Sequence, residues 1–117
     1  MGEKIKSIEL FNSTGGAITQ NSYIDSDPID LGNQDLDGFF SLYMKNTGGT
    51  VTATVLIAPT LGGTYTAPDT GVSIFTAAAA GVHFAEFDPP LCQFMKIRFT
   101  ETNVAAVTAM DAKLFFK

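Results

Sequence analysis

Two segments near the end of this chain alternate apolar and polar residues with a period of two, which is the period of a β-strand. In residues 93–101 the row Met95, Ile97 and Phe99 alternates with a more polar row, and residues 107–116 repeat the pattern. Each pattern predicts a strand with one face on the core and one face on solvent. The β-branched and aromatic residues that favour strands are abundant, with fourteen Thr, ten Phe and three Tyr. The chain is therefore predicted to be all-β.

Gly and Pro recur at short intervals and divide the rest of the chain into strand-like runs. Further strands are predicted over residues 5–11, 22–31, 39–45, 50–57, 72–75 and 82–87. Pro28 restricts the second of these to a sheet edge or to two short pieces. Asn-Thr-Gly-Gly at residues 46–49 predicts a tight hairpin. The four alanines at residues 77–80 match one helical turn, although they are too few to nucleate a helix.

About eight short strands without a βαβ pattern indicate an antiparallel β-sandwich, here of jelly-roll type. The length of 117 residues fits a single domain over residues 1–117. The net charge of −5 and the lack of a basic stripe exclude a nucleic-acid partner. Cys92 is the single cysteine, which excludes an internal disulfide and a multi-cysteine metal site. No apolar run is long enough for a signal peptide or a membrane span, so we expect synthesis in the cytoplasm without export.

An acidic stretch is the first candidate for a metal site. Residues 33–38 read Asn-Gln-Asp-Leu-Asp-Gly, in which Asp35 and Asp37 take ligand positions of a calcium loop. The twelfth position of that loop should be Glu, but it is Met44. These aspartates more often cap turns and keep an edge strand soluble. We therefore expect no metal and no cofactor, with Asp35 and Asp37 as the candidates if a metal binds.

Residues that carry catalysis are scarce. His83 is the single histidine and is predicted to face solvent or another copy, and no nucleophile motif accompanies it. Cys92 is expected to act as a small buried hydrophobe. Glu86 and Asp88 share one strand face, which is a pattern that glycosidases use but that exposed strands also show. We expect no enzymatic activity.

Interface candidates lie on the polar rows of the predicted strands. Lys96 and Arg98 form an exposed basic pair, which pairs either with aspartates of a neighbouring copy or, across strands, with residues such as Asp111 and Glu86. The chain has more aromatic residues than a small core requires, and the surplus includes Phe40, Phe115 and Phe116. An exposed apolar patch on a small domain marks an interface. The sequence leaves the pairing of Lys96 and Arg98 open.

Three sequence segments resemble small β-rich proteins of tailed bacteriophages and prophages that are encoded among virion structural genes. The segments are PPLCQFMKIRFTETN at residues 89–103, DGFFSL at residues 37–42 and TVTATV at residues 50–55. The resemblance implies a capsid decoration, head or tail-associated protein, located in the virion and partnered by itself and by other virion proteins. It implies no catalytic residue.

A carbohydrate-binding β-sandwich module is the alternative function. Such modules stack sugars on exposed aromatic rings, and some hold a structural calcium ion. The chain has no Trp, so Tyr23, Tyr43 and Tyr65 are the rings available, with Tyr65 the first candidate. The acidic stretch would supply the calcium ligands.

Overall fold

A computed structural model describes residues 5–32, 38–69, 73–89 and 92–117 of the chain. Within these residues the predicted all-β class is confirmed, and the described strand pairs are all antiparallel. A 3-10 turn, Ser13–Gly16, follows the first strand. The seven strands are β1 (Lys6–Phe11), β2 (Tyr23–Asp25), β3 (Ile29–Asp30), β4 (Phe40–Ala58), β5 (Ser73–Phe87), β6 (Phe94–Glu101) and β7 (Ala109–Phe116).

Strand β4 organises the sheet because it runs through both halves of the molecule. Its first part, 40–47, pairs with β7, and its second part, 51–58, pairs with β6. On the opposite edge, β5 pairs with both parts. The sheet order is β1-β7-β4-β6-β2, with β3 added to β6 and β5 added to β4. We call β1, β7 and the adjoining parts of β4 and β5 the first half-sheet, and β2, β3, β6 and the second part of β4 the second half-sheet.

The predicted hairpin at residues 46–49 is wrong. Gly48 and Gly49 do have positive φ, at 83° and 65°, but they form an irregularity inside a continuous strand. Glycines at positive φ serve a tight turn and a bulge equally well. Here the strand continues because both parts of β4 pair over long stretches with β5, β6 and β7. A hairpin at residues 46–49 would pair the two parts of β4 with each other and lose those hydrogen bonds. The predicted break at residues 77–81 is likewise inside β5, so seven described strands replace the eight expected.

The irregularity in β4 also changes which residues face the core. Before it, the even-numbered residues Leu42 and Met44 are buried, and after it the odd-numbered Val51, Ala53 and Val55 are buried. Both parts of the strand therefore turn their apolar rows inward as the sheet curls into a half-barrel, in agreement with the predicted sandwich. Rings from the two half-sheets meet in the core, where Phe11 of β1 contacts Phe99 of β6 edge to face with a centroid distance of 5.6 Å.

Several sequence predictions about strand faces are confirmed. The row Met95, Ile97 and Phe99 is fully buried, and the matching row of β7 from Met110 to Phe116 is buried as well. Pro28 separates β2 from β3, as its lack of a backbone N–H predicted. Local alternation therefore located the buried faces of β6 and β7 correctly.

Candidate functional site

The outer face of the first half-sheet carries a cluster of aromatic rings. Phe84 of β5 stacks on Phe115 of β7 with a centroid distance of 5.6 Å and an angle of 23° between the rings. Tyr43 of β4 contacts Phe84 edge to face at 5.9 Å. Each ring points outward because its neighbours along the strand, such as Leu42 and Phe116, point into the core. Three strands thus contribute one ring each to a single external cluster.

Exposed apolar side chains extend this cluster along β5 and toward the strand's end at Phe87. Ile5, Phe39, Val82 and Phe84 are between 60% and 71% exposed. The outer face of an antiparallel sheet ordinarily carries polar residues, so this group of exposed apolar side chains needs an explanation. We call this surface the aromatic face, and it consists of Ile5, Phe39, Tyr43, Val82, Phe84 and Phe115.

A groove opens at the end of the aromatic face where β4 begins. It has a volume of about 270 Å³, and its lining includes the rings of Phe40, Phe84, Phe115 and Phe116. Phe39 also lines a neighbouring groove of about 650 Å³, which includes Glu86 and Asp88. An exposed ring therefore stands beside an apolar recess, an arrangement suited to contact with another protein surface.

The structure places Arg98 in an ion pair within its own chain. Its Nε and Nη2 atoms donate to the two carboxylate oxygens of Asp25 at 2.7 and 2.9 Å, and its guanidinium lies 3.9 Å from the ring centroid of Tyr23. The hydrogen bond to Asp25 raises the pKa of Arg98. The predicted partners Asp111 and Glu86 are not the ones used, because β2 pairs with β6 and brings Asp25 opposite Arg98.

Lys96, two positions before Arg98 on the same face of β6, lies over another tyrosine. Its Nζ atom is 4.4 Å from the ring centroid of Tyr65, whose hydroxyl donates a hydrogen bond to the Leu61 carbonyl at 3.0 Å. One face of Tyr65 and one face of Tyr23 are therefore occupied by cations. A sugar would have to displace the cation or use the other side of the ring, and sugar binding stays a prediction.

Replacing Arg98 with lysine tests the geometry of this ion pair. Lysine keeps the charge but loses the two parallel hydrogen bonds and the flat contact with Tyr23. We expect the free energy of unfolding to fall by about 1 kcal/mol, since the pair is partly exposed. Urea denaturation measures the change, with Lys96→Arg as the control on the same strand face. Equal stability of Arg98→Lys and the unmodified protein would contradict the expectation.

The sequence also predicted the surroundings of His83 and Cys92. His83 is half-buried, with its ring centroid 5.7 Å from that of Phe75 and its Nε2 atom 2.6 Å from the Ala79 carbonyl oxygen. Its neighbours Val82 and Phe84 point to the opposite face, as predicted, but the partial burial of His83 against Phe75 departs from the predicted solvent-facing position. The alternative, a contact with another copy, stays a prediction. Cys92 packs against the core, and burial raises the pKa of its thiol, in keeping with a small hydrophobe.

The metal candidates Asp35 and Asp37 lie outside the described residues. Within the described ranges, no three His, Cys, Asp or Glu side chains stand close enough together to hold a metal ion. In the same ranges, no helix has the length and apolar character needed to cross a membrane.

The structure also identifies Glu101, which the sequence analysis did not single out. Its side chain is fully buried at the end of β6, and its carboxylate accepts hydrogen bonds from five backbone amides. The donors are Asn21, Thr50, Asn103, Val104 and Ala105, at distances from 2.7 to 3.4 Å. The sequence pattern does indicate that Glu101 is buried, because alternation puts it in the same row as Met95, Ile97 and Phe99.

These five amides come from three separate parts of the chain. Asn21 belongs to the turn before β2, Thr50 to the irregularity in β4, and the other three to the connection from β6 to β7. Asn21 and Asn103 have positive φ, at 59° and 68°, in the conformation that successive amides adopt around an anion. The carboxylate thus holds together the corner of the fold, and its role is structural.

Comparison with known proteins adds little to this picture. No protein-family model matches the chain, and no curated protein matches it. Among solved structures, a chain from the structure of infectious bursal disease virus, Gx strain, is similar with a TM-score of 0.48 and 10% sequence identity. The similarity covers 97% of this chain and 32% of that chain, so the present chain spans about a third of its length.

Proposed function

We propose that this protein is a non-enzymatic structural component of a bacteriophage virion and that it assembles through the aromatic face. The observation that carries the proposal is the ring cluster of Tyr43, Phe84 and Phe115 on the outside of the first half-sheet. Apolar surface of this kind stabilises a protein when another surface covers it. The sequence resemblance to small β-rich proteins of tailed phages supports the virion as the place of assembly.

The contacts on the two half-sheets support different roles for their outer faces. On the second half-sheet, Arg98 and Lys96 are engaged by Asp25, Tyr23 and Tyr65 of the same chain. On the first half-sheet, the outward rings contact one another and leave Phe84 largely exposed. Burying a large aromatic side chain contributes about 1.5–3 kcal/mol, so a few such rings supply the main part of a specific interface. The aromatic face is therefore the assembly surface in this proposal.

Replacing Phe39 and Phe84 together with serine is expected to abolish self-association. Both side chains are exposed, so the fold should persist, and the thermal midpoint should change by no more than a few degrees. Size-exclusion chromatography with light scattering, at two protein concentrations about a hundredfold apart, measures the mass of each species. The unmodified protein should shift to a defined oligomer at the higher concentration, and the variant should stay monomeric.

Leu61→Ser is the matched control, because Leu61 is 59% exposed and does not belong to the aromatic face. It should associate like the unmodified protein. The virion part of the proposal requires a second test, in which particles purified from the host strain are probed with an antibody against this chain. Absence from such particles, together with a monomer at both concentrations, would overturn the proposed function.

A further inference from the structure

Strand β5 has one edge that no described strand covers. It pairs with β4 along one side, and no described pairing involves its other side. Exposed sheet edges invite pairing with another chain, and proteins ordinarily protect them with Lys, Pro or a short strand length. At fifteen residues β5 is long, it contains no Lys, Arg or Pro, and its one carboxylate is Glu86. Over residues 82–87, where its pairing with β4 is regular, this edge lacks the usual protection.

We propose that β5 pairs with β5 of a second copy of this chain, antiparallel and about a two-fold axis at Phe84. The inference rests on the proposed function, because pairing at this edge would enlarge the aromatic face through which the protein is proposed to assemble. Pairing of this kind would join the two first half-sheets into one continuous sheet of eight strands. It is the recognition mode in which an edge strand accepts a further strand through backbone hydrogen bonds.

The register follows from the alternation of β5. Over residues 82–87, the exposed Val82, Phe84 and Glu86 alternate with the half-buried His83, Ala85 and Phe87. Before residue 82 this regular alternation is lost. A two-fold axis perpendicular to the sheet keeps outer residues on the outer face. Phe84 is the middle residue of the exposed row, and with the axis placed there it faces its own copy.

This register also matches the sizes of the facing side chains. Gly81 lies opposite Phe87 of the second copy, an arrangement in which an aromatic ring covers the glycine. His83 faces Ala85, and Val82 faces Glu86, so large residues do not oppose one another except at the axis. There the two Phe84 rings make an aromatic pair of the kind that stabilises adjacent strands. The two aromatic faces become one surface across the axis.

Charge favours this edge over the rest of the surface as a contact between identical copies. A chain with a net charge of −5 repels its own copies, but β5 carries a single carboxylate. In the proposed register the two Glu86 residues are offset by four positions, or about 13 Å along the strands. That separation exceeds the screening length of about 8 Å at physiological salt. Like charges therefore do not oppose each other in the pair.

Disulfide cross-linking tests the register directly. Val82→Cys and Glu86→Cys are each introduced into a Cys92→Ser background, and the two proteins are oxidised mildly, alone and as an equal mixture. Residues directly opposite on antiparallel strands have Cα atoms about 4.5–5.5 Å apart, within the range that a disulfide spans. Cross-linked dimer should form at least about tenfold faster in the mixture than in either protein alone.

The outcomes separate this inference from the proposed function. Faster cross-linking in the mixture supports β5 pairing with Phe84 on the axis. Oligomers by light scattering combined with no preference for the mixture would overturn the β5 pairing and leave assembly through the aromatic face intact. A protein that neither oligomerises nor cross-links would overturn both. Thr76→Cys in the same background, mixed with Glu86→Cys, is the control, because Thr76 lies outside the paired segment.

Discussion

Replacing Glu101 with glutamine is expected to lower the thermal midpoint by roughly 10 °C or more at pH 7. Five backbone amides donate to this carboxylate, and three segments of the chain depend on it for their hydrogen bonds. Glutamine offers one acceptor oxygen and places an NH₂ group against amides that are themselves donors. Buried donors that lose their acceptor destabilise the fold. Thermal unfolding followed by circular dichroism measures the change.

The effect should depend on pH in a defined direction. Burial alone would raise the pKa of Glu101, but the amides of Asn21, Val104, Ala105 and Thr50 stabilise the charged form and lower the pKa from 4.5 to about 2. A carboxyl group whose pKa is lower in the folded state stabilises the fold fully above its unfolded pKa. That stabilisation is lost as the pH falls from about 4.5 toward 2. The stability difference between the unmodified protein and Glu101→Gln should therefore shrink over this interval.

Glu86→Gln is the control for this experiment, since it makes the same chemical change on an exposed strand position. Its thermal midpoint should match that of the unmodified protein within a few degrees at every pH. A gap between the unmodified protein and Glu101→Gln that stays constant down to pH 2.5 would contradict the assigned role. So would equal stability at pH 7.

Sequence predicts those parts of the fold that depend on local alternation. The period-two rows of β6 and β7 gave the buried residues directly, because successive side chains of a strand must point to opposite faces. The same rule indicates that Glu101 is a buried acid, because it lies in the same row of β6 as Phe99. A buried acid in a core row requires hydrogen-bond donors, and the connection after it supplies three of the five.

Features that depend on which strands become neighbours were not predictable from local sequence. Arg98 meets Asp25 because β2 pairs with β6, and the two residues are 73 positions apart in the chain. The rings of Phe84 and Phe115 meet because β4 lies between β5 and β7. Local sequence indicated surplus aromatic residues at Phe40, Phe115 and Phe116, but the structure buries Phe40 and Phe116 in the core and leaves Phe115 in the outer cluster. The proposed assembly surface therefore exists only because β5, β4 and β7 are neighbours in the sheet.

The hairpin predicted at residues 46–49 shows the same limit at a single position. A pair of glycines permits positive φ, and the pairing of the flanking strands decides whether the chain reverses or bends. In the structure Gly49 lies beside the connection from β6 to β7 and beside Glu101. A Cβ atom there would be 2.6 Å from the Ala105 carbonyl oxygen and 3.2 Å from Glu101 Cγ. The bend of β4 at Gly49 and the buried carboxylate of Glu101 therefore lie in the same corner of the fold.

Replacing Gly49 with alanine is therefore expected to lower the free energy of unfolding by about 3 kcal/mol. The left-handed conformation at φ 65° costs a residue with a Cβ about 1–2 kcal/mol, and the contact with a backbone carbonyl adds to that because the backbone must shift. Urea denaturation at pH 7 measures the loss. Gly62→Ala is the control, since no atom lies within 4 Å of the added Cβ, and it should be neutral or slightly stabilising.

The effects of Gly49→Ala and Glu101→Gln on the free energy of unfolding should not be additive. If Gly49→Ala displaces the carbonyl of Ala105, it moves the amide of the same connection away from the Glu101 carboxylate. The double variant Gly49→Ala/Glu101→Gln should then lose less stability than the sum of the single variants, because each removes part of the same arrangement. Additive losses would mean that the bend and the carboxylate stabilise the fold independently. Wild-type stability of Gly49→Ala would contradict a bend that requires glycine.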